Sequence, residues 1–120
     1  MARILIVDDS AFMRAKLRVM LESGGHEVVG LAPNGKQALE MFASLHPELV
    51  TLDYMMAGKN GEEVLREMVQ QDPEARVIMI SGSGDRTIEE RALQIGARLF
   101  MEKPIVPTEI LKVIDQVMEA

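Results

Sequence analysis

The stretch ILIVDDS, residues 4–10, places four apolar residues directly before two adjacent aspartates and a serine. The apolar half has the character of a buried strand, whereas the aspartates need water or a cation. A continuous apolar run is typical of a parallel strand that helices cover on both faces. The question is why such a strand ends in two carboxylates, and the other strands of the chain supply the answer.

Composition limits the classes of protein that fit this chain. It has 120 residues, 48% hydrophobic and 27% charged, which predicts one globular domain over residues 1–120. The formal net charge of −6 argues against a partner that is a nucleic acid. The absence of cysteine excludes thiolate metal sites and suits a reducing compartment. No apolar run is long enough for a signal peptide or a membrane span, so we expect a cytoplasmic protein without membrane insertion.

Five short apolar runs alternate with five segments of helical periodicity. The runs are residues 3–7, 26–32, 48–53, 76–81 and 98–102. In the segment after the first run, Met13, Leu17, Met20 and Leu21 recur at the spacing of one helix face. This pattern predicts an α/β fold, a five-stranded parallel sheet that is doubly wound and flavodoxin-like, with strand order 2-1-3-4-5.

Polar residues stand at the carboxyl ends of four of these predicted strands. Asp8 and Asp9 follow the first strand, Asp53 ends the third, Ser81 ends the fourth, and Lys103 follows the fifth. Ligands of doubly wound sheets bind at this edge, near the switch point between strands 1 and 3. Three close carboxylates repel one another, and Mg²⁺ with oxygen ligands would offset that repulsion. Lysine adds a charge suited to phosphate, so the sequence predicts a site for a cation and a phosphoryl group.

Each of these residues, taken alone, also has a simpler interpretation. Asp9 or Ser10 could cap a helix that begins near residue 10. Asp53 could form a turn before the glycine-containing loop, and Ser81 could be an ordinary loop serine. None of these interpretations explains why all of the residues fall at one edge of the predicted sheet.

Four segments together resemble a known family, the receiver domain of bacterial two-component response regulators. They are ILIVDDS, VTLDYMMAGKNG (50–61), the strand that ends in Ser81, and FMEKP (100–104). The resemblance covers essentially the whole chain, and DDSAFMR (8–14) with VTLD further resembles the chemotaxis branch. It implies a signalling module rather than an enzyme, phosphorylated by a histidine kinase. We expect a stand-alone chemotaxis-type regulator, with a receiver domain of a longer regulator as the alternative.

The resemblance also implies roles for the residues at the strand ends. Asp53 would be the phosphoacceptor. Mg²⁺ would be held by Asp9, Asp53 and the backbone carbonyl of Met55, with Asp8 assisting through water. Lys103 would contact the phosphoryl oxygens. The reaction would be an in-line phosphoryl transfer, in which the cation and Lys103 neutralise charge on the transferred oxygens.

The same resemblance implies a switch and an output surface. Ser81 stands at the position of the family's switch serine or threonine, and Phe100 at that of its switch aromatic. The output partner would bind the face formed by the fourth helix, the fifth strand and the fifth helix. Two positions depart from the pattern: Ala57 stands where the family usually has proline, and Phe100 where chemotaxis regulators usually have tyrosine.

Two other functional classes remain open from the residues alone. A Mg²⁺-dependent phosphohydrolase with an aspartate nucleophile would carry Asp-x-Asp after the first strand, where this chain has Asp8 and Asp9 side by side. A dinucleotide-binding domain would need G-x-G-x-x-G in the same turn, which contains no glycine. The segment GSGD (82–85) follows the fourth strand and is weak support for such a domain.

Overall fold

The computed structural model describes residues 1–119 and contains the predicted alternation of strands and helices. The strands are β1 (Arg3–Val7), β2 (Glu27–Ala32), β3 (Leu49–Asp53), β4 (Val77–Ser81) and β5 (Leu99–Glu102). The helices are α1 (Ala11–Ser23), α2 (Gly35–Leu45), α3 (Gly61–Gln71), α4 (Arg86–Ile95) and α5 (Pro107–Glu119). Within the described residues, no helix has the length and apolar character needed to cross a bilayer.

The five strands are parallel and lie in the order β2-β1-β3-β4-β5, as predicted. Every residue of β3 and β4 is buried, because helices cover both faces of the sheet. Side chains alternate between the faces and form two apolar clusters. One cluster lies under α2, α3 and α4, and the other lies under α1 and α5.

Short polar side chains start the helices at the edge where the strands end. The side chains of Ser10, Asn34, Asn60 and Asp85 each accept a hydrogen bond from a backbone N–H in the first turn of α1, α2, α3 and α4. Ser10, rather than Asp9, therefore caps α1. The carboxylate of Asp9 is left exposed beside the end of β1.

Gly61 allows α3 to begin against the end of β3. A Cβ at this position would lie 2.6 Å from the carbonyl oxygen of Asp53 and 2.7 Å from Cα of Tyr54. The N–H of Gly61 donates to the carbonyl of Tyr54 at 2.9 Å, which closes the loop 54–60. A residue without a side chain thus fixes the loop beside Asp53.

Candidate functional site

The ends of β1 and β3 bring three carboxylates together. The two strands are paired, with Val7 opposite Leu52, so the residues that follow them are neighbours. One carboxylate oxygen from each of Asp8, Asp9 and Asp53 lies within 4.8 Å of the others. Asp8 and Asp53 are only 2% and 3% exposed, whereas Asp9 faces solvent. The predicted convergence of the three aspartates is present in the structure.

Lys103 supplies one positive charge to this cluster. Its Nζ lies 3.3 Å from Oδ2 of Asp8, to which it donates a hydrogen bond, and 3.3 Å from Oδ1 of Asp53. The contact with Asp53 is an ion pair without hydrogen-bond geometry. Oδ1 of Asp53 is therefore a buried oxygen to which no group of residues 1–119 donates a hydrogen bond. One ammonium faces three carboxylates, and an acceptor is left free for a further cation.

The electrostatics of the cluster show the same excess of negative charge. Burial, followed by the nearby charge of Asp8, raises the pKa of Asp53 from 3.8 to about 6, although Lys103 acts to lower it. Burial lowers the pKa of Lys103, but the charges of Asp53 and Asp8 outweigh it and hold this pKa above its usual value. The cluster therefore favours any added positive charge.

Local hydrogen bonds fix the orientation of Asp8. Its Oδ1 accepts from the N–H of Ser10 at 2.9 Å, and its Oδ2 accepts from Lys103. Its backbone carbonyl accepts from Nη1 of Arg14 at 2.7 Å, which ties the turn to α1. Since both carboxylate oxygens of Asp8 already have donors, Asp9 and Asp53 are the freer ligands for a metal. The donor set of hard oxygens fits Mg²⁺.

The loop after β3 forms an open pocket beside the carboxylates. The pocket has a volume of about 470 Å³ and is lined by Asp9, Tyr54, Met55, Met56, Ala57 and Asn60. The side chain of Met55 is 63% exposed, while Met56 is buried and anchors the loop. The Tyr54–Gly61 hydrogen bond joins the two ends of this loop, and the Asn60 cap fixes its junction with α3.

Neither Ser81 nor Phe100 makes a side-chain hydrogen bond to the three carboxylates. Ser81 is fully buried at the end of β4, one residue beyond Ile80, which is opposite Asp53. The hydroxyl of Ser81 is engaged with Ser83 rather than with a carboxylate. Phe100 pairs with Met79 across the sheet and packs, partly buried, on the cluster under α2, α3 and α4.

Three residues at the site were not identified from the sequence. Gly61 holds the loop after β3, Arg14 braces the turn of Asp8, and Ser83 binds the hydroxyl of Ser81. Only Gly61 carried a signal, because it follows asparagine at the start of a helical pattern. The contacts of Arg14 and Ser83 depend on where the strand ends meet, so no local pattern could have shown them.

Comparison with known proteins agrees with this geometry. The family model described as response regulator receiver domain matches residues 4–115. The chemotaxis protein CheY of Bacillus subtilis is 41% identical over 116 residues and covers 97% of each chain. Protein CcdB of the same organism is 40% identical over 118 residues and covers 98% of each. The crystal structure of the CheX-CheY-BeF3-Mg+2 complex from Borrelia burgdorferi is similar, with a TM-score of 0.93, 32% identity, and coverage of 96% of this chain and 87% of that one.

Proposed function

This chain belongs to the response regulator receiver family, and we propose that it accepts a phosphoryl group on Asp53 in a Mg²⁺-dependent reaction that switches its protein contacts. One observation carries this proposal: Oδ1 of Asp53 is buried and accepts no hydrogen bond from the described residues. It lies close to the ammonium of Lys103 and to the carboxylates of Asp8 and Asp9. The family is one of signalling receivers, and the phosphohydrolase and dinucleotide alternatives are not needed to explain the site.

The ligands we propose for Mg²⁺ are Asp9, Asp53 and the backbone carbonyl of Met55, with Asp8 contributing through water. Asp8 takes the indirect role because Ser10 and Lys103 already occupy its two oxygens. When bound, the cation would neutralise charge on the carboxylates and on the transferred phosphoryl group.

In the transfer step, a carboxylate oxygen of Asp53 attacks the phosphorus of a phosphohistidine on the kinase. The P–N bond breaks, and its electron pair remains on the imidazole nitrogen. The ammonium of Lys103, already 3.3 Å from Asp53, pairs with the phosphoryl oxygens as their charge develops. The pKa of about 6 leaves Asp53 mainly ionised at neutral pH, which a nucleophilic carboxylate requires.

The acyl phosphate would then act on the switch residues and on a surface. Ser81 would turn its hydroxyl toward the phosphoryl group, and the ring of Phe100 would move into the vacated space. The output partner would bind the face formed by α4, β5 and α5. Two exposed apolar side chains support the proposal of a binding surface here. Leu93 on α4 is 45% exposed, and Val106 before α5 is 46% exposed.

We further propose that the phosphodonor is a histidine kinase, that the protein acts in the cytoplasm, and that it is a stand-alone chemotaxis-type regulator. The whole-chain similarity to CheY of Bacillus subtilis supports the last point. A receiver domain of a longer regulator is the alternative.

The test is incubation with Mg²⁺ and acetyl phosphate, followed by measurement of the intact mass. The wild type should gain the mass of one phosphoryl group, and Asp53→Asn should gain none. Asp115→Asn, which alters an exposed carboxylate on α5, should still be labelled. Labelling of Asp53→Asn would show that the acceptor has been assigned wrongly.

A further inference from the structure

The loop between β4 and α4 holds the hydroxyl of Ser81. Oγ of Ser81 accepts a hydrogen bond from the backbone N–H of Ser83 and donates one to Oγ of Ser83, each at 3.2 Å. Oγ of Ser83 also accepts from the N–H of Asp85 at 3.2 Å, and Oδ1 of Asp85 accepts from the N–H of Thr87 at 2.8 Å. A continuous series of hydrogen bonds thus connects the buried end of β4 to the first turn of α4.

This arrangement makes Ser83 a competitor for the hydroxyl proton of Ser81. A serine hydroxyl has one proton, so it can donate to only one acceptor at a time. While Ser81 donates to Ser83, it cannot donate to a group bound on Asp53. A phosphoryl group can therefore accept this hydrogen bond only when Ser81 gives up its bond to Ser83.

We propose that Ser83 is a positioning residue: it holds the hydroxyl of Ser81 in a resting orientation and links the release of that hydroxyl to the start of α4. This inference rests on the proposed function, because it requires Ser81 to donate to the group on Asp53. When Ser81 turns away, Oγ of Ser83 loses one of its two hydrogen bonds. The neighbouring Gly84, at φ +68°, gives the loop a backbone conformation that other residues rarely adopt.

A simpler role for Ser83 is to close a local turn, as exposed serines often do. The two roles differ in their dependence on Ser81. A turn-closing serine affects the loop whether or not residue 81 carries a hydroxyl, whereas a competitor acts only through that hydroxyl. A double-mutant cycle between the two serines therefore separates them.

The experiment measures the affinity for beryllofluoride in the presence of Mg²⁺, by calorimetry on the full chain. This anion adds to a carboxylate oxygen and imitates a bound phosphoryl group. Ser83→Ala should bind it about threefold more tightly than the wild type, since the partly buried hydrogen bond from Ser81 to Ser83 no longer opposes binding. In the Ser81→Ala background the same substitution should have no effect. Ser83→Thr keeps the hydroxyl and should stay near the wild type.

Thr87→Ala is the matched control, because only the backbone N–H of Thr87 takes part in the series. Its affinity should equal that of the wild type. Unchanged or weaker binding by Ser83→Ala, or an equal factor in the two backgrounds, would overturn the role of Ser83 alone. Failure of the wild type to bind beryllofluoride with Mg²⁺ would instead overturn the proposed function, and this inference with it.

Discussion

Replacing Asp53 with asparagine should stabilise the metal-free protein, by an amount that depends on pH. The pKa of Asp53 lies at about 6 in the folded protein, against 3.8 for the free side chain, chiefly because of burial and then the charge of Asp8. This difference corresponds to about 3 kcal/mol of unfolding free energy. It is a net figure that already includes the attraction of Lys103.

The direction in which stability changes with pH follows from proton binding. Between about pH 4 and pH 6 the folded protein binds more protons at Asp53 than the unfolded chain does, so stability falls as the pH rises through this window. Above this pH window, the ionised carboxylate of Asp53 lowers the unfolding free energy by the full amount of about 3 kcal/mol, at about 1.36 kcal/mol for each pKa unit. Asp53→Asn cannot ionise, so the variant should match the wild type near pH 4. At pH 7.5 it should exceed the wild type by up to about 3 kcal/mol.

Urea unfolding with a chelator, at several pH values from 4 to 7.5, measures this difference. The midpoint should move while the slope stays constant. Titrating groups remote from Asp53 are common to both proteins and cancel in the comparison. Asp115→Asn, at an exposed position of α5, should have the same unfolding free energy as the wild type at every pH. Adding Mg²⁺ should reduce the difference in unfolding free energy between Asp53→Asn and the wild type, because the cation stabilises the wild type, which binds it. A gap independent of pH, or a less stable Asp53→Asn at pH 7.5, would refute the reasoning.

Three further outcomes follow from the site. Gly61→Ala should lower the unfolding free energy by about 1–3 kcal/mol in urea titrations, since its Cβ would lie 2.6 Å from the carbonyl of Asp53. Gly82→Ala, with nothing nearer than 3.9 Å, is the control, and equal losses would contradict the argument. Asp9→Asn should weaken Mg²⁺ binding in calorimetry and leave metal-free stability equal or higher; lower stability with normal binding would argue against a ligand role. Tyr54 is the single tyrosine in a chain without tryptophan, so its fluorescence emission should change on Mg²⁺ addition and level off as the metal site fills. Emission that stays constant while calorimetry detects Mg²⁺ binding would place the metal elsewhere.

The apolar runs predicted the strands well because burial on both faces of a parallel sheet demands continuous hydrophobic residues. Four of the five runs nevertheless begin one residue too early, each at a polar residue: His26, Glu48, Arg76 and Arg98. The first ladder hydrogen bond of a strand depends on the partner strand. Hydropathy along one segment carries no information about the partner strand, so the first residue of each strand could not be predicted more accurately.

Local patterns were sufficient to predict the order of the elements, the edge at which the polar residues gather, and which charged side chains meet there: Asp8, Asp9, Asp53 and Lys103. They were sufficient because periodicity and residue type are properties of neighbouring positions. The electrostatic interactions of the site could not be predicted in this way. Lys103 reaches Asp8 across 95 positions of the chain, and the pKa of Asp53 depends on its burial and its distance from both.

The hydroxyl of Ser81 shows the same division. Its residue type at the end of β4 was visible in the sequence, but its engagement with Ser83 was not. Hydrogen bonds act only over a few ångströms, and the strength of desolvation and Coulomb interactions depends on burial and on the distance between charges. They are therefore set by the packing of the whole sheet and its loops, which brings distant parts of the chain to those distances.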